Sequence, residues 1–306
     1  MEIIQGIEQF KSRKASAVTV GTFDGVHPGH IKLINRLLEV GTIQGLSTTL
    51  VTFYPHPKLV VSGQKNVRLL TTIEEKIELL ERTGLQRLLI VPFDQSFSRM
   101  SYEQFVHKVL IGKLDTKALV IGYDHAFGRN REGNYERLEE LGQRFKFTVE
   151  RVEPYRLNNQ IIGSTLIRQT LLAGRVDEAA QMLQRLYTIS GRVVHGSARG
   201  KLLHFPTANV EVSNKNKLVP TDGVYAVDVI YKDRTYKGML NIGCRPTFKN
   251  GKQHVIEVHI IDFSQTIYNE TITIAFKKRL RDEIKFDSKE ALIEQLEKDR
   301  EESLKV

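Results

Sequence analysis

Residues 17–38 read AVTVGTFDGVHPGHIKLINRLL. The first seven form a short apolar, β-branched run of the kind that makes a buried strand. A loop of Gly, His and Pro follows, and then Ile31, Ile34, Leu37 and Leu38 recur at helical spacing. The passage is therefore strand, loop, helix, and the same alternation continues downstream. Strands are expected at 48–53, closed by Tyr54-Pro55-His56-Pro57, and at 87–91, 118–121 and 147–152. Helices are expected at 72–82, with Gly84 as a stop, and at 102–110 and 137–145. Strands separated by helices imply an α/β, Rossmann-like unit with a mainly parallel sheet covered on both faces. Ligands in such sheets bind beyond the carboxyl ends of the strands.

Two further helices are expected at 164–172 and 176–186, broken at Ala173-Gly174. After Tyr187 the texture changes. Segments near 188–195, 207–212, 223–231, 235–242, 254–262 and 270–276 read as strands separated by Gly, Pro, Asn and Asp, with no helical pattern between them. This predicts an antiparallel sheet closing as a small β-barrel. A terminal helix follows at 287–304, started by a capping box of Asp287 and Glu290, with Ala291, Leu292, Leu296 and Leu304 as its apolar stripe. The domain boundary is placed at 185, giving domains 1–185 and 186–306.

The 306 residues suit two cores, and 41% hydrophobic with 26% charged residues is ordinary for a folded globular protein. No apolar run approaches the roughly 20 residues of a membrane helix. Residues 1–14 lack the apolar core of a signal peptide. The single cysteine, Cys244, excludes an intrachain disulfide and a thiolate metal cluster. These features together predict a cytoplasmic protein with no membrane partner. The net charge of +9 suits an anionic partner. Aromatics make up 8% with no Trp, and no tract interleaves them with Arg as a base-stacking platform would, so nucleic acid is not expected.

Motifs sit where the strands end. In Gly21-Thr22-Phe23-Asp24-Gly25-Val26-His27-Pro28-Gly29-His30, two histidines three apart open a helix. Free N–H groups and the helix dipole favour an anion there, and imidazoles can donate to charge growing on a phosphoryl oxygen. Gly29 leaves room for close approach to the backbone. A lone His-x-x-His is a weak signal; its place after the first strand of an α/β pattern strengthens it. A second anion cradle is read in Gly163-Ser164-Thr165-Leu166-Ile167-Arg168, with hydroxyls at a helix start and Arg168 one turn in. On its own this would be a plain Ser/Thr cap.

The longest motif lies in the second half: Gly191-Arg192-Val193-Val194-His195-Gly196-Ser197-Ala198-Arg199-Gly200-Lys201-Leu202-Leu203-His204-Phe205-Pro206-Thr207-Ala208-Asn209. Gly196 and Gly200 let backbone wrap phosphates, and Arg199 and Lys201 neutralise them. Thr207 and Asn209, two apart on a strand, present neutral oxygens on one face, which with waters and ATP oxygens suit magnesium. In residues 255–262, VIEVHIID, Ile256, Val258 and Ile260 take one face while Glu257 and His259 take the other.

Residues 21–30, the segment Gly122-Tyr123-Asp124-His125-Ala126-Phe127-Gly128-Arg129 and residues 164–168 resemble the nucleotidyltransferase module of the bacterial bifunctional riboflavin kinase/FAD synthetases. Residues 191–209, 223–226 (GVYA), 241–248 (NIGCRPTF) and the ending from Leu280 resemble that family's kinase domain, a six-stranded barrel. The resemblance covers nearly the whole chain. It implies an N-terminal module that adenylylates FMN to FAD with release of pyrophosphate. The C-terminal domain is implied to phosphorylate riboflavin with ATP and Mg2+. By the same resemblance His27 and His30 contact ATP phosphates, with Gly21, Phe23, Asp24 and Gly29 in the surrounding nucleotide and flavin loop. Asp124 holds the nucleotide, and Ser164, Thr165 and Arg168 hold the leaving phosphates. Residues 52–57, TFYPHP, match a segment beside the flavin. Asn241 falls in a matching segment of the kinase domain, and Glu257 is assigned as base toward the riboflavin 5′-hydroxyl.

Departures from the family pattern are Gly163 where Ser is usual, His125 and Ala126 in the second motif, Lys201 where Arg is common and His204 where Gly is common. The first three leave open a kinase that keeps its first module as a scaffold. The His-x-Gly-His loop also resembles that of class I aminoacyl-tRNA synthetases, which defines an RNA-binding alternative without a recognisable RNA-binding module.

Overall fold

In the computed structural model, strands β1 (Glu2–Gln5) and β2 (Ser16–Val20) lead into helix α1 (Pro28–Gln44). They are followed by β3 (Ser47–Tyr54), the short α2 (Pro57–Val61), α3 (Ile73–Glu81) and β4 (Arg87–Pro92). Short α4 (Gln95–Ser98) and α5 (Tyr102–Phe105) come next, the latter running on as a π-helical turn, Val106–Ile111. Then come β5 (Thr116–Gly122), α6 (Tyr135–Phe145), β6 (Thr148–Val152) and the small pair β7 (Arg156–Leu157) and β8 (Gln160–Ile161). The structure describes residues 1–8, 10, 12, 14–61, 67–123, 133–196, 205–247 and 251–306. It divides into two compact units, Met1–Ser164 and Thr165–Val306.

The first unit is built on a six-stranded sheet of order β1-β4-β3-β2-β5-β6, and every pairing in it is parallel. β2 is buried along its whole length, as a central strand covered on both faces must be. Helix α1 lies on one face through Leu33, Ile34, Leu37 and Val40, each worth about 1.5–3 kcal/mol of burial. It stops at Gly45, whose left-handed backbone (φ 62) closes the C-terminus. On the other face Val106, Val109 and Leu110 of the π-helical turn pack with Phe105, Leu114 and Leu138. The expected single helix over 102–110 is therefore a short α-helix continued by a π-turn, and the strand β1 adds an edge that the sequence pattern did not announce.

Helix α7 (Ser164–Leu172), all but its first residue in the second unit, and α8 (Val176–Leu183) come next, turned at Gly174 (φ 77). Strands β9 (Tyr187–Val194), β10 (Ala208–Val212), β11 (Gly223–Tyr231), β12 (Arg234–Thr247), β13 (Gly251–Ile260) and β14 (Thr271–Arg281) follow. They close into a barrel of order β10-β13-β12-β11-β14-β9, antiparallel throughout. Closure removes the free strand edges that an open sheet of this size would expose.

The terminal helix α9 (Lys289–Leu304) differs from expectation at its start and on its packing face. Its cap is Ser288, extended at φ −140 and accepting from the Ala291 N–H, so Asp287 is one residue outside. Such a cap contributes about 1 kcal/mol. Of the expected apolar stripe, Leu292 and Leu296 are half-buried and Ala291 and Leu304 exposed, while the fully buried residues of the helix are Asp299 and Ser303. Arg281 at the end of β14 grips the Asp299 carboxylate, Nη2 to Oδ2 at 2.7 Å and Nε to Oδ1 at 3.0 Å, and Gln295 donates to the same Oδ1 at 2.9 Å. A forked, partly buried ion pair adds a directional fastening to the half-buried leucines.

Candidate active sites

The loop after β2 leaves the sheet beside its topological switch point. From β2 the chain proceeds outward through β3 and β4, and β5 is later laid on the other side of β2. The crevice at the carboxyl ends of β2 and β5 is where such sheets take ligands. Loop residues 21–27 follow β2 at that end of the sheet. The chain leaves β5 at Gly122 and Tyr123 toward Asp124, His125 and Ala126, which lie outside the described residues.

The loop backbone is unusual. Phe23 (φ 47), Gly25 (φ 87) and Val26 (φ 39) all occupy the left-handed region, and two of them are not glycine. Strained loops persist where the surroundings over-determine them, and here the fastening comes from the segment before α3. The Asp24 carboxylate, 2% exposed, accepts from the N–H groups of Leu70 (3.0 Å) and Thr71 (3.0 Å), and the Gly25 N–H donates to the Thr71 hydroxyl at 3.0 Å. On the other side the Ser164 hydroxyl donates to the Asp24 carbonyl at 2.8 Å. Phe23 is buried in the core beneath the loop. Gly21 is half-buried, and its N–H donates to Val51 at 3.0 Å.

His27 is the N-cap position of α1, with Pro28 preset for the first turn. The imidazoles of His27 and His30 stack with centroids 3.7 Å apart, and Phe23 lies 5.0 Å from the His30 ring. A side chain at Gly29 would stand 3.1 Å from the His27 ring, so glycine there leaves the imidazole its place. Two ring systems are thus gathered at the start of a seventeen-residue helix, where the helix dipole favours an anion. Ser164 opens α7; Thr165, exposed, and Arg168, half-buried, follow on the same helix. Gly163 has no neighbour within 4 Å of where a side chain would begin.

One residue of this region escaped the sequence reading. Lys76 on α3 is 5% exposed, and its Nζ donates to the Thr22 carbonyl at 2.6 Å and to the Thr52 hydroxyl at 3.4 Å. Burial pushes its ammonium down to about 8, while the Asp24 carboxylate pulls it back up. The available signal was a charge within an apolar stripe: Ile73, Lys76, Ile77 and Leu80 stand at i, i+3, i+4 and i+7.

In the barrel, strand pairing assembles a row that the sequence separates. Asn209 on β10 is directly opposite Glu257 on β13, and Glu257 is directly opposite Asn241 on β12. Directly opposed residues share a face and stand roughly 5 Å apart, so the carboxylate is flanked by two amides. Gly196, just past β9, lies against this row: a side chain there would overlap the Asn209 amide, 2.7 Å from its Oδ1. At the other end Asn241 Nδ2 donates to Glu283 Oε1 at 3.2 Å, and a side chain at Gly243 would overlap that carboxylate. Glu283, exposed and beyond the last strand, is a second residue that the sequence reading did not mark.

Thr207, exposed, immediately precedes β10. The preceding carbonyl, Pro206, lies 2.8 Å from His259 Nδ1, and the His259 ring meets Phe205 edge-on at 5.3 Å. Desolvation holds His259 below its ordinary pKa despite that backbone bond. The ring is therefore neutral at pH 7 and donates Nδ1–H to the carbonyl, tying down the segment that carries Thr207. Arg199, Gly200, Lys201 and His204 lie outside the described residues. Among the described residues no group of three or more His, Cys, Asp and Glu side chains could hold a metal, and no helix is long and apolar enough to cross a membrane.

Comparison with known proteins bears on both regions. The FAD synthetase family model matches residues 9–166, and the riboflavin kinase family model matches residues 183–306. The bifunctional riboflavin kinase/FMN adenylyltransferase of Buchnera aphidicola subsp. Schizaphis graminum is 37% identical over 98% of this chain and 97% of its own length. The protein of that name from Listeria monocytogenes is 38% identical over 94% of this chain and 90% of its own. A crystal structure described as a macrolide-efflux protein from Streptococcus pneumoniae superposes with TM-score 0.89 at 32% identity, covering 98% of both chains.

Proposed function

This chain belongs to the family of bifunctional riboflavin kinase/FMN adenylyltransferases, and from that membership we infer that it converts riboflavin to FMN and FMN to FAD. The functional division falls near 185, with adenylyl transfer in 1–185 and the kinase in 186–306. The observation that carries the kinase assignment is the Asn209–Glu257–Asn241 row, a carboxylate between two amides with Gly196 against the Asn209 end.

In the kinase step the riboflavin 5′-hydroxyl oxygen attacks the γ-phosphorus of ATP, ADP leaves, and Glu257 takes the hydroxyl proton. A base so placed contributes about 10²–10⁴-fold. Asn209, directly opposite that carboxylate, and Thr207 two residues before it offer hard neutral oxygens, a donor set that fits Mg2+ completed by waters and ATP oxygens. When bound, the ion supplies neutralisation of the phosphate charge. Gly196 keeps Asn209 in place, Asn241 lines the substrate side, and Arg199, Gly200 and Lys201 of the connecting loop cradle the phosphates.

In the adenylylation step an FMN phosphate oxygen attacks the α-phosphorus of ATP and pyrophosphate leaves. His27 and His30 donate to the charge that grows on the phosphoryl oxygens. Ser164, Thr165 and Arg168 hold the leaving phosphates, and Asp124 the nucleotide. Asp24, with Gly21, Phe23 and Gly29, shapes the loop: its carboxylate is engaged by Leu70 and Thr71, so its contribution to binding is through the backbone it fixes. Relatives that carry both activities in their names along nearly the whole chain favour this reading over a kinase with a degenerate first module. The single cysteine accords with the reducing cytoplasm.

The deciding experiment is chromatography of flavins after incubation with riboflavin, ATP and Mg2+, beside a sample given FMN. FMN followed by FAD is expected. FMN alone, with no FAD even from added FMN, would mean that the first unit has lost its chemistry.

A further inference from the structure

We propose that Lys76 is a positioning residue of FMN adenylylation: its buried ammonium fastens the Thr22 carbonyl and so sets the backbone that presents His27 and His30. The proposal rests on the assignment of that histidine loop to adenylyl transfer.

A lysine is almost never fully buried unless its charge is matched. At Lys76 the match is specific. Nζ donates to Thr22 O at 2.6 Å and to Thr52 Oγ1 at 3.4 Å, and the Thr52 hydroxyl in turn donates to the same Thr22 carbonyl at 3.3 Å. The three groups form a closed triangle in which the carbonyl is the common acceptor. Opposite charge comes from Asp24, whose carboxylate is itself held by Leu70 and Thr71. Methionine would fill the same space without the cost of burying a charge, so core packing alone does not call for an amine.

The geometry of the fastened segment gives the amine a purpose. Thr22 is followed by Phe23, Gly25 and Val26 in the left-handed region, and then by His27 at the head of α1. A backbone of that shape relaxes unless held on every side. Residues 70–76 hold it as one piece: Leu70 and Thr71 on Asp24, Thr71 on Gly25, and Lys76 on Thr22. That piece is itself anchored by a reciprocal capping box between Thr72 and Glu75 at the start of α3. Lys76 is thus one rigid turn away from a fixed helix start and reaches the loop from below, without being placed against substrate.

The test uses the full chain with Lys76→Met, with His30→Ala measured beside it. Steady-state FAD synthesis from FMN and ATP, riboflavin kinase activity, thermal unfolding and the ring resonances of His27 and His30 are recorded. For Lys76→Met we expect kcat for FAD synthesis to fall by about 10²-fold. KM for FMN and ATP should hold within about threefold, the mark of a misaligned transition state and not of lost ground-state binding. Kinase turnover should be unchanged and the two histidine ring resonances displaced. A kcat within about threefold of the parent, or a loss confined to KM, overturns the proposal. If His30→Ala keeps FAD synthesis, the adenylylation reading of the loop fails instead. Should Lys76→Met not fold, Thr52→Val decides: it removes one corner of the triangle and with it two of the three hydrogen bonds, so a lowered kcat with KM held supports the proposal and full turnover overturns it.

Discussion

Glu257 stands directly across from Asn209, in register between β13 and β10, although 48 positions separate the two in the chain. This juxtaposition puts the proposed base beside the proposed magnesium ligand. Glu257→Ala should therefore abolish FMN formation, by about 10²–10⁴-fold, while FAD formation from supplied FMN continues. Flavin chromatography reads both. Loss of both activities would assign Glu257 to the fold.

Gly196→Ala is expected to act on chemistry and spare stability. Its new methyl would overlap the Asn209 amide, the far end of a side chain that can swing aside. The kinase should lose about 10²-fold in turnover and require more Mg2+, with unfolding shifted by less than about 1 kcal/mol. A magnesium titration at fixed ATP measures it. An unchanged requirement would remove Asn209 from the metal site.

His27→Ala and His30→Ala should each suppress FAD synthesis and leave riboflavin phosphorylation intact. Gly29→Ala should resemble a milder His27 variant, because its methyl would press on the His27 ring from 3.1 Å. Assaying FAD from FMN separates these from the kinase. Unchanged FAD output from either histidine variant removes that ring from the mechanism.

Gly163→Ser restores the residue usual in the family at a position with open space around it and no left-handed backbone. Stability should change by less than about 0.5 kcal/mol, and FAD synthesis should equal or exceed that of the parent. A fall in turnover would show that this chain depends on glycine there.

Lys76 predicts a pH dependence of stability. Desolvation lowers its folded pKa from 10.5 to about 8 against the pull of Asp24. Between those values the unfolded chain binds the proton that the folded chain has released, so stability rises with pH across that window. The rise is about 3 kcal/mol. Urea midpoints of the N-terminal unit, for the parent relative to Lys76→Met, should climb from pH 8 toward pH 10 and be level below pH 7. A level difference throughout would mean that the buried amine keeps its ordinary affinity for protons.

The sequence by itself determined whatever depends on neighbours along the chain. Alternating strand and helix periods specified the parallel unit, and strands without helices between them specified the barrel, because these periods are set by backbone geometry. The His-Pro-Gly-His loop and the glycine-bearing run from Gly191 could be proposed as anion sites for the same local reason. Glu257 could be assigned a face of its strand, since successive side chains on a strand alternate.

Tertiary structure alone decided which of these residues meet. Register brought Asn209 and Asn241 to either side of Glu257, and no period in one strand encodes the stagger of its partner. Lys76 lies 54 positions from Thr22, and Asp24 lies 46 from Leu70, so a helix surface charge and a loop carboxylate became buried fasteners only when α3 docked. The terminal helix was read from its leucines, and the ion pair that also fastens it, Asp299 on Arg281, spans 18 positions. Hydrogen bonds and ion pairs of this reach depend on the closing of the whole chain, which brings together groups whose partners local pattern does not specify.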